Sequence, residues 1–233
     1  MAIDHSLTYK IFKLKNIPHI IRLRTLQKLI GEFGSTQILQ YADFGCSTGY
    51  LTNKFSNLVD AENAVGFDHS DNIEKARKTY PQINFEYINL NEKIEFSQKY
   101  CFITCFETLE HVGDIEKAVK NLKDAAHNES KIIISVPIEI GIVGIFKYIV
   151  KRFLYRYDLP LKCSDTSYLM SLIKFGDISK FREAANGYGS HFGFDYRIVD
   201  REIDNNFSLK SVKIFNSATT RYYAIDMAIE NKT

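Results

Sequence analysis

Apolar runs alternate with polar stretches through the first 140 residues, and the spacing within each run separates helix from strand. Residues 7 to 34 carry Ile17, Ile20, Ile21, Leu23, Leu26, Leu29 and Ile30 at helical intervals, with basic residues between them and Gly31 and Gly34 closing the segment. The run at 38 to 44 reads as a strand, and 48 to 58 as a helix with Leu51, Phe55 and Leu58 on one face. A second strand is predicted at 63 to 67 and a helix from Asp71 to Tyr80, ended by Pro81. The alternating Ile83 to Ile88 gives a third strand and Tyr100 to Cys105 a fourth; a helix at 113 to 127 starts near Asp114, and Lys131 to Val136 is a fifth strand.

After Pro137 the pattern changes. Residues 140 to 157 are apolar and aromatic with Lys147, Lys151, Arg152 and Arg156 interleaved, and an irregular polar stretch with Ser164, Asp165 and Ser167 follows. Two last runs, Phe207 to Phe215 and Arg221 to Ile229, flank Asn216-Ser217 as a hairpin would. Strands alternating with helices require a mostly parallel sheet covered on both faces, with ligands at the carboxyl ends of its strands. The expected fold is therefore an α/β three-layer sandwich: a mostly parallel seven-stranded sheet ending in an antiparallel hairpin. It should form one domain over 1–233, with N-terminal helices at about 7–34 and a lid or substrate insertion at about 138–200.

Composition narrows the picture only modestly. With 233 residues, 45% of them hydrophobic, the chain can bury one sizeable core. A formal charge of +2 demands neither nucleic acid nor an acidic surface as partner. Cys46, Cys101, Cys105 and Cys163 form no CxxC pair, and the first three lie on or beside predicted buried strands, so reduced thiols and a cytoplasmic chain are expected. No charged n-region with an apolar core opens the sequence, and the longest apolar stretch, Ile132 to Phe146, is interrupted by Pro137 and Glu139.

The chemistry concentrates after the first strand. In Asp43-Phe-Gly-Cys-Ser-Thr-Gly49 an acid and two glycines precede an amphipathic helix; Gly45 and Gly49 can take positive φ, and the helix start offers free amides. Nineteen residues beyond Gly49 a second strand ends in Asp68, where a carboxylate would meet a ribose diol. This combination predicts an adenosine-containing cofactor. Taken separately, the glycine pair could be a tight turn, and Asp68 could cap the helix that follows.

Together with Phe106-Glu-Thr-Leu-Glu-His-Val112 after strand four, these motifs resemble class I S-adenosylmethionine-dependent methyltransferases, including ubiquinone-pathway O-methyltransferases, over roughly residues 25 to 140. The resemblance implies a Rossmann-like fold and S-adenosyl-L-methionine as cofactor. It places Asp43, Gly45, Cys46 and Gly49 at the methionine end, Asp68 on the ribose, and His69, Asn89 and Leu90 about the adenine, with Phe106 beside them. Ser47 stands where that family usually has a third glycine, and Asn89 where it usually has an aspartate.

Past strand four, His111 is the first candidate for the base that deprotonates an acceptor hydroxyl, with Glu110 beside it. A sharper reading takes Glu107, Glu110 and His111, at i, i+3, i+4 on one helical face, as ligands of a divalent metal such as Mg2+ completed by His191. Glu-x-x-Glu-His is similar to the metal motif of small-RNA 2′-O-methyltransferases. Tyr188, His191 and Tyr196 are candidates for an acceptor pocket. The segment 140 to 157 would be its lid, and its basic, aromatic and aliphatic mixture also fits peripheral contact with anionic lipid, so small-molecule, lipid-linked and glycan acceptors all suit it. Nucleic acid is disfavoured, since no basic face or stacking platform is visible.

Two competing classes remain. Gly45-Cys-Ser47-Thr-Gly49 satisfies the nucleophile elbow of an α/β-hydrolase, with Asp165 and His191 following in the required order. A non-catalytic protein that binds the same cofactor would keep the glycines and Asp68.

Overall fold

In a computed structural model, residues 16–33, 38–154, 164–182, 191–217 and 219–230 are described. Helix α1 (Ile17–Phe33) precedes strand β1 (Gln40–Phe44), followed by α2 (Tyr50–Leu58), β2 (Asn63–Asp68), α3 (Asn72–Thr79) and β3 (Asn84–Tyr87). Then come β4 (Tyr100–Phe106), α4 (Ile115–Ala125) and β5 (Ala126–Pro137). Helix α5 (Gly141–Ile149) runs into a π-helical turn at Val150–Leu154, and α6 (Asp165–Ile173) and a 3-10 turn at Ser179–Phe181 follow. The chain closes with α7 (Tyr196–Phe207), β6 (Lys210–Ser217) and β7 (Thr220–Glu230).

All seven strands form one sheet in the order β3-β2-β1-β4-β5-β7-β6. Pairings from β3 through β5 are parallel, and β7 joins β5 and β6 antiparallel. The order reverses between β1 and β4, so the connections leave opposite faces of the sheet there and open a crevice at the strands' carboxyl ends.

Strand periodicity explains the two covered faces. In β1, Ala42 and Phe44 join one buried layer with Ile103, Leu122, Ile203 and Phe207, while Tyr41 joins the other with Leu26, Ile30, Phe55 and Phe102. Asp114 caps α4 by accepting from the Lys117 amide at 2.9 Å, as the sequence suggested.

Two boundaries differ from the sequence expectation. β5 begins at Ala126, five residues early, because Ser130 Oγ donates to Tyr100 O at 2.6 Å and accepts from His127 N at 2.8 Å, carrying the polar stretch alongside β4. The predicted final hairpin loses Phe207 to α7, a helix within and just beyond the expected insertion. Asp195 accepts from the Arg197 amide at its start, Val199, Ile203 and Phe207 are buried, and it packs on α4. Between α5 and α7 a smaller core of Ile140, Tyr148, Tyr168, Leu172, Ile178, Phe181 and Phe192 gives the segment after β5 its own apolar centre.

Candidate active site

The turn after β1 is fixed by the neighbouring strand: the amides of Gly45 and Cys46 both donate to Phe67 O, at 2.7 and 3.0 Å. Gly45 has φ +82, and a Cβ there would fall inside the Thr108 side chain. Asp68 locks the same turn, its Oδ2 accepting from the Ser47 amide at 2.7 Å. Its Oδ1 accepts from Ser70 N at 2.8 Å and Ser70 Oγ at 2.7 Å, a local turn that ends before the helix N-cap at Asp71, so Asp68 does not cap α3. With about two acceptor positions per carboxylate oxygen, Oδ2 retains one toward the cleft.

Asp43 is turned inward. Thr52 Oγ1 donates to its Oδ2 at 2.6 Å and Thr104 Oγ1 to its Oδ1 at 2.8 Å, while Tyr41 Oη lies 2.7 Å from the same threonine oxygen. Burial raises its carboxyl to about 6, against the lowering effect of the two hydroxyls.

A cleft of about 990 Å³ opens over these strand ends, with Gly45, Cys46, Asp68, His69, Leu90 and Phe106 among its walls. Its volume, apolar walls and carboxylate fit an adenosyl amino acid. Asn89 lines a smaller adjoining recess together with His69, Tyr87, Ile88 and Glu92. Its side chain is committed to its own turn, Oδ1 accepting from Asn91 N at 3.0 Å and Nδ2 donating to Glu92 at 2.6 Å. Gly49, with φ +77, backs the turn against Phe85.

A second group of side chains lines the same cleft. Glu110 is fully buried, neither of its carboxylate oxygens has a hydrogen-bond partner, and the buried His191 Nδ1 has none either. His191 Nδ1 and His111 Nε2 each lie 4.0 Å from Glu110 Oε1, and the two imidazoles are 4.6 Å apart between centroids. The three donor atoms lie within 4.8 Å of one another, a spacing that one ion could bridge. Burial holds the Glu110 carboxyl well above its usual range, with Glu107 adding to the effect, and burial lowers His191 to about 3, with His111 next in effect.

Glu107 does not join them. Its backbone has φ +50, and residues 109 to 111 form a turn rather than the helical face expected from the motif. Its carboxylate pairs instead with Arg22 at 2.7 Å and accepts from Ser135 Oγ at 3.3 Å, so the four-ligand expectation reduces to three. Tyr196 is also displaced: its ring packs at the two apolar cores with the Arg221 guanidinium 4.8 Å away, and it is absent from the cleft lining. Tyr188 lies outside the described residues.

The sequence reading missed Arg182. Its Nη2 donates to the carbonyls of Glu110 and Val112 at 2.8 and 2.5 Å, and a Cβ at Gly193, where φ is +72, would strike its backbone. Arg182 thus joins the turn bearing Glu110 to the loop bearing His191.

The hydrolase arrangement does not assemble. Ser47 Oγ accepts from Asn72 at 3.1 Å, Asp165 pairs with Arg152 at 3.0 Å, and His191 faces Glu110. On α5 and the turn after it, Ile142, Phe146, Ile149 and Phe153 form an exposed stripe. Lys147 and Lys151 reach the buried Glu139, and Arg152 forms an exposed pair with Asp165. Among the described residues no helix is long and apolar enough to cross a membrane.

Comparison with known proteins agrees with this geometry. A malonyl-[acyl-carrier protein] O-methyltransferase of Bacillus anthracis is 26% identical over 111 residues, which is 46% of this chain and 39% of that protein. An S-adenosylmethionine-dependent methyltransferase from Clostridium acetobutylicum superposes with a TM-score of 0.58 at 11% identity, over 88% of this chain and 91% of its own. The magnesium protoporphyrin IX methyltransferase of Synechocystis PCC 6803, solved with bound SAH, gives 0.55 at 13% identity, over 95% and 92%. These two show a common fold. A family model described as a methyltransferase domain matches residues 19–149, more than half of the chain and most of the residues lining the cleft, though not His191. With the glycine turn, Asp68 and the strand order in place, the chain belongs to that family as a class I S-adenosylmethionine-dependent methyltransferase.

Proposed function

We propose that the chain methylates a hydroxyl oxygen of a small acceptor seated between the glycine turn and the Glu110–His111–His191 cluster. The cluster carries the reading: a buried carboxylate with two unpartnered oxygens beside two imidazoles suits an oxygen that must lose its proton. S-adenosylmethionine supplies a methyl group already activated on a sulfonium, leaving the protein to position the acceptor, exclude water and manage one proton.

Asp68 Oδ2 would take a ribose hydroxyl, and Leu90 and Ile88 would flank the adenine. The cluster would hold a divalent ion that acidifies the acceptor hydroxyl. One carboxylate and two imidazoles do not suit Mg2+, which prefers oxygen ligands throughout; Mn2+, a hard ion that binds imidazole more readily than Mg2+ does, fits the mixed donor set better. Oxygen as the acceptor atom is supported in class by the Bacillus anthracis relative, itself named an O-methyltransferase.

Calorimetric titration of S-adenosylhomocysteine into the wild-type chain and Asp68→Ala tests the cofactor site. Binding should occur in the wild type and weaken in the variant, and no binding to the wild type would sink the proposal. Titration of Mn2+ into the S-adenosylhomocysteine complex should show one site that Glu110→Ala removes. Absence of that site would leave His111 as an unassisted base.

A further inference from the structure

We infer that Lys147 and Lys151 form a subsite for an anionic group, a carboxylate or a phosphate, carried by the methyl acceptor; this rests on the cleft being the acceptor pocket. The two lysines are four residues apart where α5 passes into the π-helical turn, and both line the cleft with His191. Their ammonium groups approach the same oxygen, Glu139 Oε1, at 3.0 and 3.8 Å. Glu139 is buried, and Lys151 Nζ is further held 4.9 Å from the centre of the Phe192 ring.

A latch between lid and sheet needs one lysine for one carboxylate. Here two share a single oxygen, while the third cation at this end, Arg22, is matched by Glu107 at 2.7 Å. Among the described residues the second lysine therefore has no carboxylate of its own: Glu107 is taken by Arg22, and the ion pairs of both lysines run to the one Glu139 oxygen. A partly desolvated ammonium without a counter-charge of its own is unfavourable, and its compact donors suit carboxylate and phosphate oxygens. An acceptor bearing such a group would meet the lysines from the lid side with its hydroxyl toward His111 and His191. Phe146 on the same helix supplies an apolar flank.

Inorganic phosphate, benzoate and neutral benzyl alcohol, titrated at fixed ionic strength into the S-adenosylhomocysteine-saturated protein, test this by NMR chemical-shift changes. At least one anion should bind and should weaken about tenfold or more in the K147Q/K151Q double variant. Glu139→Gln should tighten it, by releasing the second ammonium, and S-adenosylhomocysteine affinity should be unchanged throughout. The tighter anion identifies the source as phosphate or carboxylate. Neither anion binding, benzoate binding no better than benzyl alcohol in the absence of phosphate binding, or anion binding that survives K147Q/K151Q would overturn the proposal. If S-adenosylhomocysteine itself failed to bind, the cleft reading would fall instead, and the phosphate arm on the ligand-free protein would still judge the lysine pair.

Discussion

The guanidinium of Arg182 holds the main-chain carbonyl of Glu110 at 2.8 Å and leaves that residue's carboxylate without a hydrogen bond. Position and charge are thereby separated: the backbone of residues 110 to 112 is clamped from 70 or more residues away, while the carboxylate stays available. Arg182→Gln should weaken Mn2+ binding by about tenfold and lower stability by about 1.5–3 kcal/mol, the range for a hydrogen bond from a charged donor. Manganese titration and urea unfolding on the same samples would check both.

Glu110 itself is a stability liability kept at the site. A buried polar group without a partner costs about 1–3 kcal/mol, so Glu110→Leu, which removes the polar group at similar volume, is expected to melt no lower than the wild type without metal. The same variant should lose any rise in melting temperature that Mn2+ gives the wild type. Calorimetric scans with and without Mn2+ would show it; a wild-type protein far more stable than the variant without metal would contradict it.

Asp43 gives a pH signature. Its carboxyl is raised to about 6 in the folded chain from 3.8, so the protonated form is favoured by folding. Its contribution is fully present below the unfolded value and is lost as pH rises through about 6. Two units correspond to about 3 kcal/mol at most. Asp43→Asn should flatten the decline in stability between pH 4 and 6, measured by urea unfolding against the wild type at each pH.

Gly45→Ala meets two penalties at one position, a left-handed backbone and the Thr108 side chain where the new methyl would lie. The backbone alone costs about 1–2 kcal/mol. Loss of S-adenosylhomocysteine affinity together with lowered stability is the expected outcome; an alanine variant that binds and melts like the wild type would show that the turn does not need glycine.

The sheet, the glycine turn and Asp68 were legible in the chain alone, because strand and helix periods and the demand for positive φ at Gly45 and Gly49 are local properties. The sequence also put Glu110, His111 and His191 forward as chemistry-bearing residues. Tertiary structure decided which of the candidates meet. Glu107 left the cluster because Arg22, on a helix 85 residues earlier, offered its carboxylate a closer charge. Asn89 closed its own turn, and Tyr196 went to the apolar cores beside Arg221. His191 reached Glu110 because the smaller core after β5 and the Arg182 clamp pack that loop against the turn after β4. Such pairings lie outside any local pattern: the free energy that selects them comes from burying side chains that only the folded chain brings together.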